Sequence, residues 1–550
     1  ARSRTASRCS PPRAPFVTSF AYHSNVADGT TGWRLASRSW PAGIALVDAS
    51  RQDKGVRLAD VDGDARPDLV KALATLSNPD PKLATFSLSA DSGVYLNTGN
   101  GFLAAKSNVH VLPTFPGQNG QIPFSLAWQD AYSSYTTGLD VLDVTGDGRA
   151  DLVGGVRDLD PTSGIRRLYG MPAWYHGSPN GFVAASDPGD VFDDGLWGMN
   201  RSGVVDLYVF TAQSGTSSGN ARFADLTGDG LPELIVRGVE YRQTAVGGPS
   251  PAFTSFGWAC LDERLTNYYF ENRGELRFER APVVDSAGAF CQSSLKRVAT
   301  DFQQCDLGDP FADCGYRVLY NEAHPMQFAG DPALGTFPWY WLTNLEFGSI
   351  DVDLDGDGLA DTLSATFDPY QNGYGTAATA WRNDGERGYI EDPDWALPAG
   401  VYLYELGDHH STDTGVRLAD VNGDGRVDVM RAKAGATRTT WLNDGDADEA
   451  TPTPWVASAA WAIPSGLEFV AANGADAGVR LVDLDGDGMT DLVRSANGAN
   501  EFHRNRGSLP DLLTQVTSPL GAQTNYDYEV STQHDTSGGD GVPDLPFVVP

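Results

Sequence analysis

The sequence has no run of 18 consecutive apolar residues, the length at which an apolar helix can cross a bilayer. Basic residues are scarce: Lys and Arg together number 39, against 72 Asp and Glu, and the formal net charge is −33. A surface of this charge repels nucleic acid and anionic lipid. We therefore expect no membrane insertion and no nucleic-acid partner.

Cysteine is also rare, with five residues and no C-x-x-C pair. A zinc site is disfavoured, because zinc ligands commonly come in such pairs. Four of the cysteines cluster in sequence, which favours one or two disulfides in an exported protein, for instance Cys305 with Cys314 and Cys260 with Cys291. Four buried free thiols are the alternative.

The chain begins at Ala1, without a Met or an apolar signal segment. This start indicates a processed or trimmed chain. Together with the cysteine usage, it leads us to expect a secreted or cell-surface location. Glycine is abundant at 62 residues and aromatic residues make up 10%, a mixture that favours many short strands joined by tight turns.

A nine-residue acidic pattern, D-x-[D/T/N]-G-D-[G/A]-x-x-[D/E], occurs six times. These first to sixth loops begin at Asp60, Asp143, Asp225, Asp353, Asp420 and Asp483. Apolar residues alternate before the sixth loop, at Val479 and Leu481, and resume after it at Leu492 and Val493. Period-two patterning on both sides predicts strand, loop, strand.

Oxygen ligands at positions 1, 3, 5 and 9 of each loop, with the main-chain carbonyl of position 7, can surround one hard cation. Ca²⁺ accepts 6–8 oxygens in flexible geometry, whereas Mg²⁺ demands an octahedral shell. We therefore predict up to six Ca²⁺ sites. Their ligand residues are Asp60, Asp62, Asp64, Arg66, Asp68; Asp143, Thr145, Asp147, Arg149, Asp151; Asp225, Thr227, Asp229, Leu231, Glu233; Asp353, Asp355, Asp357, Leu359, Asp361; Asp420, Asn422, Asp424, Arg426, Asp428; Asp483, Asp485, Asp487, Met489 and Asp491.

Two other interpretations of the loops are less favoured. An EF-hand requires a carboxylate at position 12, which is not acidic in any of the six loops. Ordinary acidic turns explain a single loop, but six loops in one register favour a shared role.

The loops differ at position 3, where Thr145, Thr227 and Asn422 replace a carboxylate, and at position 6, where Ala65 replaces glycine. Weaker binding is expected there.

A second element recurs after five of the loops: an aromatic strand, a turn rich in Asn and Gly, and usually another aromatic, at 94–102, 174–182, 269–278, 381–389 and 441–448. It predicts a hairpin. Each unit then holds about four short strands, the number found in a propeller blade.

The fourth loop follows the third at about twice the usual interval. A degenerate blade without its loop is therefore predicted near 298–320, and the expected fold is an all-β, seven-bladed propeller over 33–507.

The acidic hairpin loops with Asn-x-Gly turns resemble FG-GAP/VCBS repeats, the blades of integrin-α-type propellers. The tail resembles the junction that follows the propeller in SpvB-type and Tc toxin B-component proteins and leads into an RHS/YD-repeat shell. It does so at Pro510, Asp511, Leu512, Leu513, Pro519, Leu520, Gly521, Tyr526, Tyr528, Leu545, Pro546 and Phe547. Together with the repeat spacing, this resemblance predicts an N-terminal extension over 1–32, the propeller over 33–507, and the start of an RHS/SpvB-type β region over 508–550. It also implies a docking module at the mouth of a hollow shell.

Three further motifs are better explained by ordinary loop structure than by a catalytic, metal-binding or glycosylation role. Ser217 lies in a G-x-S-x-G match, but its Ser- and Gly-rich surroundings favour a flexible loop over a catalytic elbow. His409 and His410 precede the fifth loop, and such a pair is usually solvated rather than metal-bound. Asn200 begins a glycosylation sequon that has meaning only in a eukaryotic secretory route.

These observations predict a non-catalytic, Ca²⁺-stabilised docking scaffold, the propeller segment of an exported RHS toxin-like protein. Its partner would be another protein or the remainder of an RHS shell. An integrin- or lectin-like adhesion module that binds a cell-surface protein or glycan is the alternative. A polysaccharide-active enzyme is a third possibility, because paired carboxylates also serve glycosidases.

Overall fold

The fold comes from a computed structural model. It describes residues 19–22, 32–76, 86–105, 109–117, 120–129, 134–136, 139–154, 175–184, 221–242, 262–274, 278–280, 349–367, 377–385, 389–406, 411–445, 453–496, 498–507, 513–518, 520 and 522–528. All five cysteines lie outside these residues, as do Ser217, Asn200, His409, His410 and the stretch 298–320. The predictions made for them remain predictions.

The described residues form β-strands and one short 3₁₀-helix, Pro393–Trp395. The strands are β1 Ser19–Tyr22, β2 Trp33–Ala36, β3 Val56–Ala59, β4 Asp68–Lys71, β5 Leu73–Leu76, β6 Phe86–Leu88, β7 Gly93–Asn97, β8 Phe102–Ala104, β9 Thr114–Gly117, β10 Gly120–Pro123, β11 Ala127–Gln129, β12 Ser134–Thr136, β13 Leu139–Leu142, β14 Asp151–Gly154, β15 Tyr175–His176, β16 Val183–Ala184, β17 Ala221–Ala224, β18 Glu233–Arg242, β19 Asp262–Asn272, β20 Phe278–Arg280, β21 Ser349–Val352, β22 Asp361–Phe367, β23 Ala377–Asn383, β24 Tyr389–Glu391, β25 Tyr404–Leu406, β26 Ser411–Asp413, β27 Val416–Ala419, β28 Asp428–Arg431, β29 Thr439–Asn443, β30 Trp455–Ser458, β31 Val479–Val482, β32 Asp491–Ala496, β33 Ala499–Asn505, β34 Leu513–Thr517 and β35 Gln523–Asn525.

One antiparallel meander recurs around the acidic loops, and each copy is numbered here after the loop it holds. The first sheet is β3-β4-β7-β8, the second β13 to β16, the third β17 to β20, the fifth β27 to β30, and the sixth β31-β32-β33-β2. The fourth copy, β21 to β24, belongs to a six-stranded sheet that also includes β25 and β26. The all-β prediction is confirmed, and the arrangement is propeller-like.

The predicted number of seven blades is not confirmed. In the described residues, five separate four-stranded blades hold an acidic loop, and the fourth copy lies in the larger sheet. The degenerate blade predicted near 298–320 would fall between the third and fourth sheets. Those two sheets touch: the Ala360 N–H donates to the carbonyl of Asp225 at 2.7 Å, and Asn383 Nδ2 donates to the carbonyl of Leu226 at 2.9 Å. These hydrogen bonds join the third and fourth sheets directly, while the stretch 298–320 lies outside the described residues.

The hydrophobic core lies between neighbouring sheets. Because successive side chains of a strand point to opposite faces, adjacent residues of a middle strand pack on different neighbours. On β4, Leu69 packs in the cluster with Val493 of the sixth sheet, and Val70 packs in the cluster with Leu152 of the second. Both β4 residues are fully buried. The middle strands are therefore apolar on both faces, unlike strands of a sheet with one solvated side.

The N-terminal and C-terminal segments pair with each other. Strand β2 supplies the fourth strand of the sixth sheet by antiparallel pairing with β33, from Trp33 opposite Asn505 to Ala36 opposite Phe502. Strand β1 pairs with β34, and β34 with β35, in a separate three-stranded sheet. In the described part of the chain, no helix is long and apolar enough to span a membrane.

Candidate cation-binding loops

Each acidic loop joins the first strand of its sheet to the second. The sixth loop begins directly after β31 ends at Val482, and its position 9, Asp491, is the first residue of β32. The two strands pair antiparallel. The other five loops are placed in the same way, which agrees with the strand-loop-strand prediction and excludes the helices of an EF-hand.

The loop backbone folds around the carboxylate at position 1. In all six loops this carboxylate accepts the N–H of position 4 at 2.7–2.8 Å and the N–H of position 6 at 2.6–2.9 Å. Position 5 likewise accepts the N–H of position 7 at 2.9–3.0 Å. These local turns, which Asp favours, curl the loop backbone around the carboxylates at positions 1 and 5.

The carboxylate at position 9 has a second role that the sequence analysis did not anticipate. In the fifth loop, Asp428 accepts the N–H of Val421 at 2.9 Å and the N–H of Asn443 at 2.8 Å. The equivalent Asp68, Asp151, Glu233, Asp361 and Asp491 make the same pair of bonds. All six are at most 1% exposed. Position 9 therefore fastens the loop to the third strand of its own sheet.

The hairpin asparagines are functional residues that the sequence analysis did not single out. Each side-chain amide donates to the carbonyl of position 2 in the preceding loop, at 2.7–2.9 Å. Each side-chain oxygen accepts a glycine N–H two residues later, at 2.8–3.1 Å. The asparagines are Asn97, Asn272, Asn383, Asn443 and Asn505. The recurrent Asn-x-Gly turn was their only signal in the sequence.

The second sheet has Gly177 in place of the asparagine. A Cβ atom there would lie 2.5 Å from the carbonyl oxygen of Ala150, so the backbones approach too closely for a side chain. At this junction the Ala150 N–H donates to the carbonyl of Asp60 in the first loop at 2.6 Å. Hydrogen bonds thus connect each loop-bearing sheet to the next, including the sixth to the first through Asn97 and Leu484.

Carboxylate oxygens gather most closely at the first, fourth and sixth loops. Atoms within 4.8 Å of one another come from Asp60, Asp62 and Asp68, from Asp353, Asp355 and Asp357, and from Asp483, Asp485 and Asp491. These are the three loops with Asp at position 3. The second, third and fifth loops, with Thr145, Thr227 and Asn422 there, form no such group in the described residues. The close grouping of three carboxylates thus coincides with Asp at position 3, and it includes the first loop, for which Ala65 led us to expect weaker binding.

The clustered carboxyl groups are held in an unfavourable electrostatic environment. Burial, with repulsion from Asp64 and Asp62, raises the pKa of Asp60 to about 7. Burial and Asp485 raise the pKa of Asp491 to about 8, and burial and Asp487 raise that of Asp483 to about 6. Negative charge in these loops therefore lacks full compensation.

The donor set fits a hard divalent cation. Asp62 Oδ1 is buried and has no hydrogen-bond partner among the described residues, so one ligand oxygen of the first loop is available. The side chains that converge there are carboxylates, the ligands that Ca²⁺ prefers. A bound cation would supply the missing positive charge and lower the raised pKa values. Side chains at positions 1, 3, 5 and 9 are the ones that would hold it.

One family model matches the C-terminal part of the chain. Residues 456–550 match the model described as insecticide toxin TcdB, middle/N-terminal region. This segment contains the sixth loop, β31 to β33 and the tail strands β34 and β35. No curated protein matches the sequence.

Two solved structures resemble the chain at low identity. A Tc holotoxin pore from Photorhabdus luminescens is 16% identical, with a TM-score of 0.44 and coverage of 94% of this chain and 16% of that chain. A TcdB2–TccC3 structure without its hypervariable C-terminal region is 15% identical, with a TM-score of 0.27 and coverage of 87% and 23%. The chain therefore spans less than a quarter of the length of either.

Proposed function

We propose that this chain is a non-catalytic scaffold within a secreted toxin-complex protein of the TcdB type. The match over residues 456–550 carries this proposal. The matched segment is bound to the rest of the chain: β33 pairs with β2, and Asn505 Nδ2 donates to the carbonyl of Val421 in the fifth loop at 2.9 Å. The unmatched sheets and the matched segment thus share one hydrogen-bonded architecture.

We further propose that Ca²⁺ stabilises the scaffold through the FG-GAP/VCBS-like loops. The three carboxylate groups and the raised pKa values support this role. The use of position 9 as a buried fastening supports a structural rather than a catalytic role for the acidic residues. Metal binding would then be linked to folding, because a ligand that binds only the native state stabilises it.

The partner we propose is another protein of the toxin complex, or the remainder of an RHS shell in a longer chain. The test immobilises the chain and passes over it the purified components of the P. luminescens Tc holotoxin, with serum albumin as the control analyte. Saturable binding to one component is the expected result. Absence of binding to every component, together with a positive response on a glycan array, would replace the docking role with adhesion.

Calcium dependence is tested separately by thermal unfolding in calcium-free buffer and with added CaCl₂. The expected result is a melting temperature that rises with calcium. An equal concentration of MgCl₂ is the control, and it should raise the melting temperature less, because Mg²⁺ fits these loops poorly. No shift with calcium at low ionic strength would contradict the calcium part of the proposal and leave the docking part to the binding experiment.

A further inference from the structure

The residue before each hairpin asparagine, or before Gly177, lies beside an acidic loop and differs from sheet to sheet. From the first sheet to the sixth, the residues at this flanking position are Leu96, His176, Glu271, Arg382, Leu442 and Arg504. Two of the six are arginines, and both accompany loops that have four carboxylates. The flanking position is therefore one place where the surroundings of otherwise similar loops differ.

In the sixth sheet, the guanidinium of Arg504 bridges two expected ligands. Its Nε lies 2.8 Å from Asp485 Oδ2 and its Nη2 lies 2.7 Å from Asp487 Oδ2. These carboxylates occupy positions 3 and 5 of the loop. A planar guanidinium that contacts two carboxylates in this way makes strong, charge-assisted hydrogen bonds.

In the fourth sheet the corresponding arginine contacts the position 3 carboxylate and one acidic residue outside the loop. Arg382 Nη1 lies 3.1 Å from Asp355 Oδ2 at position 3, and Arg382 Nε lies 2.8 Å from Asp392 Oδ2. Position 7 of the fourth and sixth loops is apolar, Leu359 and Met489. At both loops the flanking position supplies an arginine that contacts the position 3 carboxylate. At the sixth loop Arg38 is a second nearby positive charge, since its Nη1 donates to the carbonyl of Leu484 at 2.8 Å.

At the fifth loop, the arginine is at position 7 and the apolar residue is at the flanking position. Its flanking residue is Leu442, and an arginine at position 7, Arg426, contacts Asp424 at position 5 through Nη2 at 3.3 Å. This contact is longer than those of Arg504 and reaches no residue at position 3. Leucine at the flanking position is therefore compatible with the same sheet geometry, which makes it the natural substitution for a test.

We propose that Arg504 and Arg382 are affinity-determining residues that weaken Ca²⁺ binding at the sixth and fourth loops by holding the position 3 carboxylate in an ion pair. This inference rests on the proposed calcium role. Ca²⁺ affinity in such loops follows the number of ligand charges that are available to the ion. A guanidinium that neutralises one carboxylate reduces that number, and the incoming cation must compete with it.

The experiment is equilibrium dialysis of the full chain against buffers of defined free calcium, with ⁴⁵Ca²⁺ as the probe. For Arg504→Leu, one bound ion should reach half-saturation at about tenfold lower free calcium than in the unsubstituted chain. Adding Asp483→Ala to Arg504→Leu should remove that ion, which assigns it to the sixth loop. Arg504→Lys keeps the charge but loses the planar fork that reaches both carboxylates, so it should move the curve in the same direction as Arg504→Leu but by less.

The control is Arg34→Leu. Arg34 lies directly opposite Arg504 on the neighbouring strand β2, and it is exposed. It should leave the binding curve unchanged. If Arg504→Leu fails to fold, as judged by circular dichroism, Arg382→Leu tests the same expectation at the fourth loop.

The outcomes separate the two proposals. If the unsubstituted chain binds calcium and Arg504→Leu leaves the curve in place or moves it to higher free calcium, the role of the arginine is refuted and the calcium role stands. If the unsubstituted chain binds no calcium up to about 1 mM, the calcium role fails and the arginine inference fails with it.

Discussion

The side-chain amide of Asn443 donates a 2.7 Å hydrogen bond to the carbonyl oxygen of Leu354, which lies at position 2 of the neighbouring fourth loop. The backbone N–H of Asn443 donates to Asp428 at position 9 of its own loop. One residue therefore fastens its own loop and attaches it to the next. Because this arrangement recurs in five sheets, the acidic loops form a connected series rather than independent turns.

Replacement of this asparagine should weaken the contact between sheets. Asn443→Ala removes the donor to the buried Leu354 carbonyl and the acceptor for the Gly445 N–H. Loss of partners for buried polar groups costs about 1–3 kcal/mol. Urea unfolding should show this loss, whereas Asn100→Ala, at an exposed position in the hairpin of the first sheet, should change stability by less than about 0.5 kcal/mol. Equal effects of the two substitutions would contradict the assigned role.

The carboxylate at position 9 should matter with or without calcium. Asp428→Ala leaves the N–H groups of Val421 and Asn443 without their acceptor, and we expect a loss of at least about 2 kcal/mol. The free energy of unfolding should fall in calcium-free buffer as well as in CaCl₂. Asp444→Ala, an exposed neighbour in the hairpin, serves as the control. A loss seen only with calcium would mean that Asp428 acts as a ligand alone.

The carboxylate at position 3 should behave in the opposite way. Burial raises the pKa of Asp62, so its ionised form is unfavourable in the metal-free fold. Asp62→Asn should therefore raise the melting temperature in calcium-free buffer and reduce the increase that calcium produces. Differential scanning calorimetry in calcium-free buffer and in CaCl₂ measures both changes in the melting temperature. A lower metal-free melting temperature would show that Asp62 is stabilised by contacts other than a cation.

Two glycines of the fourth loop provide a matched pair for the contact between sheets. Gly356 and Gly358 have φ values of +80° and +89°, where a side chain costs about 1–2 kcal/mol. A Cβ at Gly356 would also lie 3.0 Å from Arg426 Cγ of the fifth loop, whereas nothing lies within 4 Å at Gly358. Gly356→Ala should thus destabilise the protein more than Gly358→Ala in chemical denaturation. Equal losses at the two glycines would mean that Arg426 moves aside freely and that the contact costs nothing.

The stability of the metal-free protein should decrease as pH rises. Burial is the main cause that raises the pKa of Asp361 to about 7 and that of Asp491 to about 8. A carboxyl group with a pKa higher in the folded chain stabilises the fold when protonated, so this stability is complete below about pH 4 and is lost as pH rises through the range 6–8.

Melting temperatures measured from pH 5 to pH 8.5 test this dependence, at about 0.15 M salt to screen the surface charge. Without calcium they should fall across this range. The increase produced by calcium should be larger at pH 8 than at pH 5, because protons and Ca²⁺ compete for the same oxygens. A calcium effect that shrinks with pH would contradict carboxylate ligation.

The strand-loop-strand units could be predicted from the sequence because their determinants are local. Alternating apolar residues such as Val479 and Leu481, an acidic loop of fixed length and a resumed apolar run at Leu492 specify the unit within sixteen residues or so, and six copies in one register remove the ambiguity of each. The three closest carboxylate groups could be anticipated in the same way, because Asp at position 3 distinguishes the first, fourth and sixth loops.

The number of blades could not be predicted in this way. The long interval between the third and fourth loops suggested another blade, but interval length does not show which sheets become neighbours. The contact between Ala360 and Asp225 does show it. The double role of position 9 could not be predicted either. The residue type alone does not show whether an Asp accepts backbone N–H groups in the core, binds a metal, or does both.

The sequence by itself determined the repeated hairpin, the register of its loops and the oxygen-rich donor set, since all of these depend on residues within one unit. Tertiary structure decided which units meet and what each side chain does at the junction. Asn97 and Leu484 are 387 positions apart and still share a hydrogen bond of 2.8 Å. Arg504 meets Asp485 and Asp487 only because β33 packs beside the loop. Such contacts form when the chain closes on itself, and that closure depends on how every sheet packs against its neighbours.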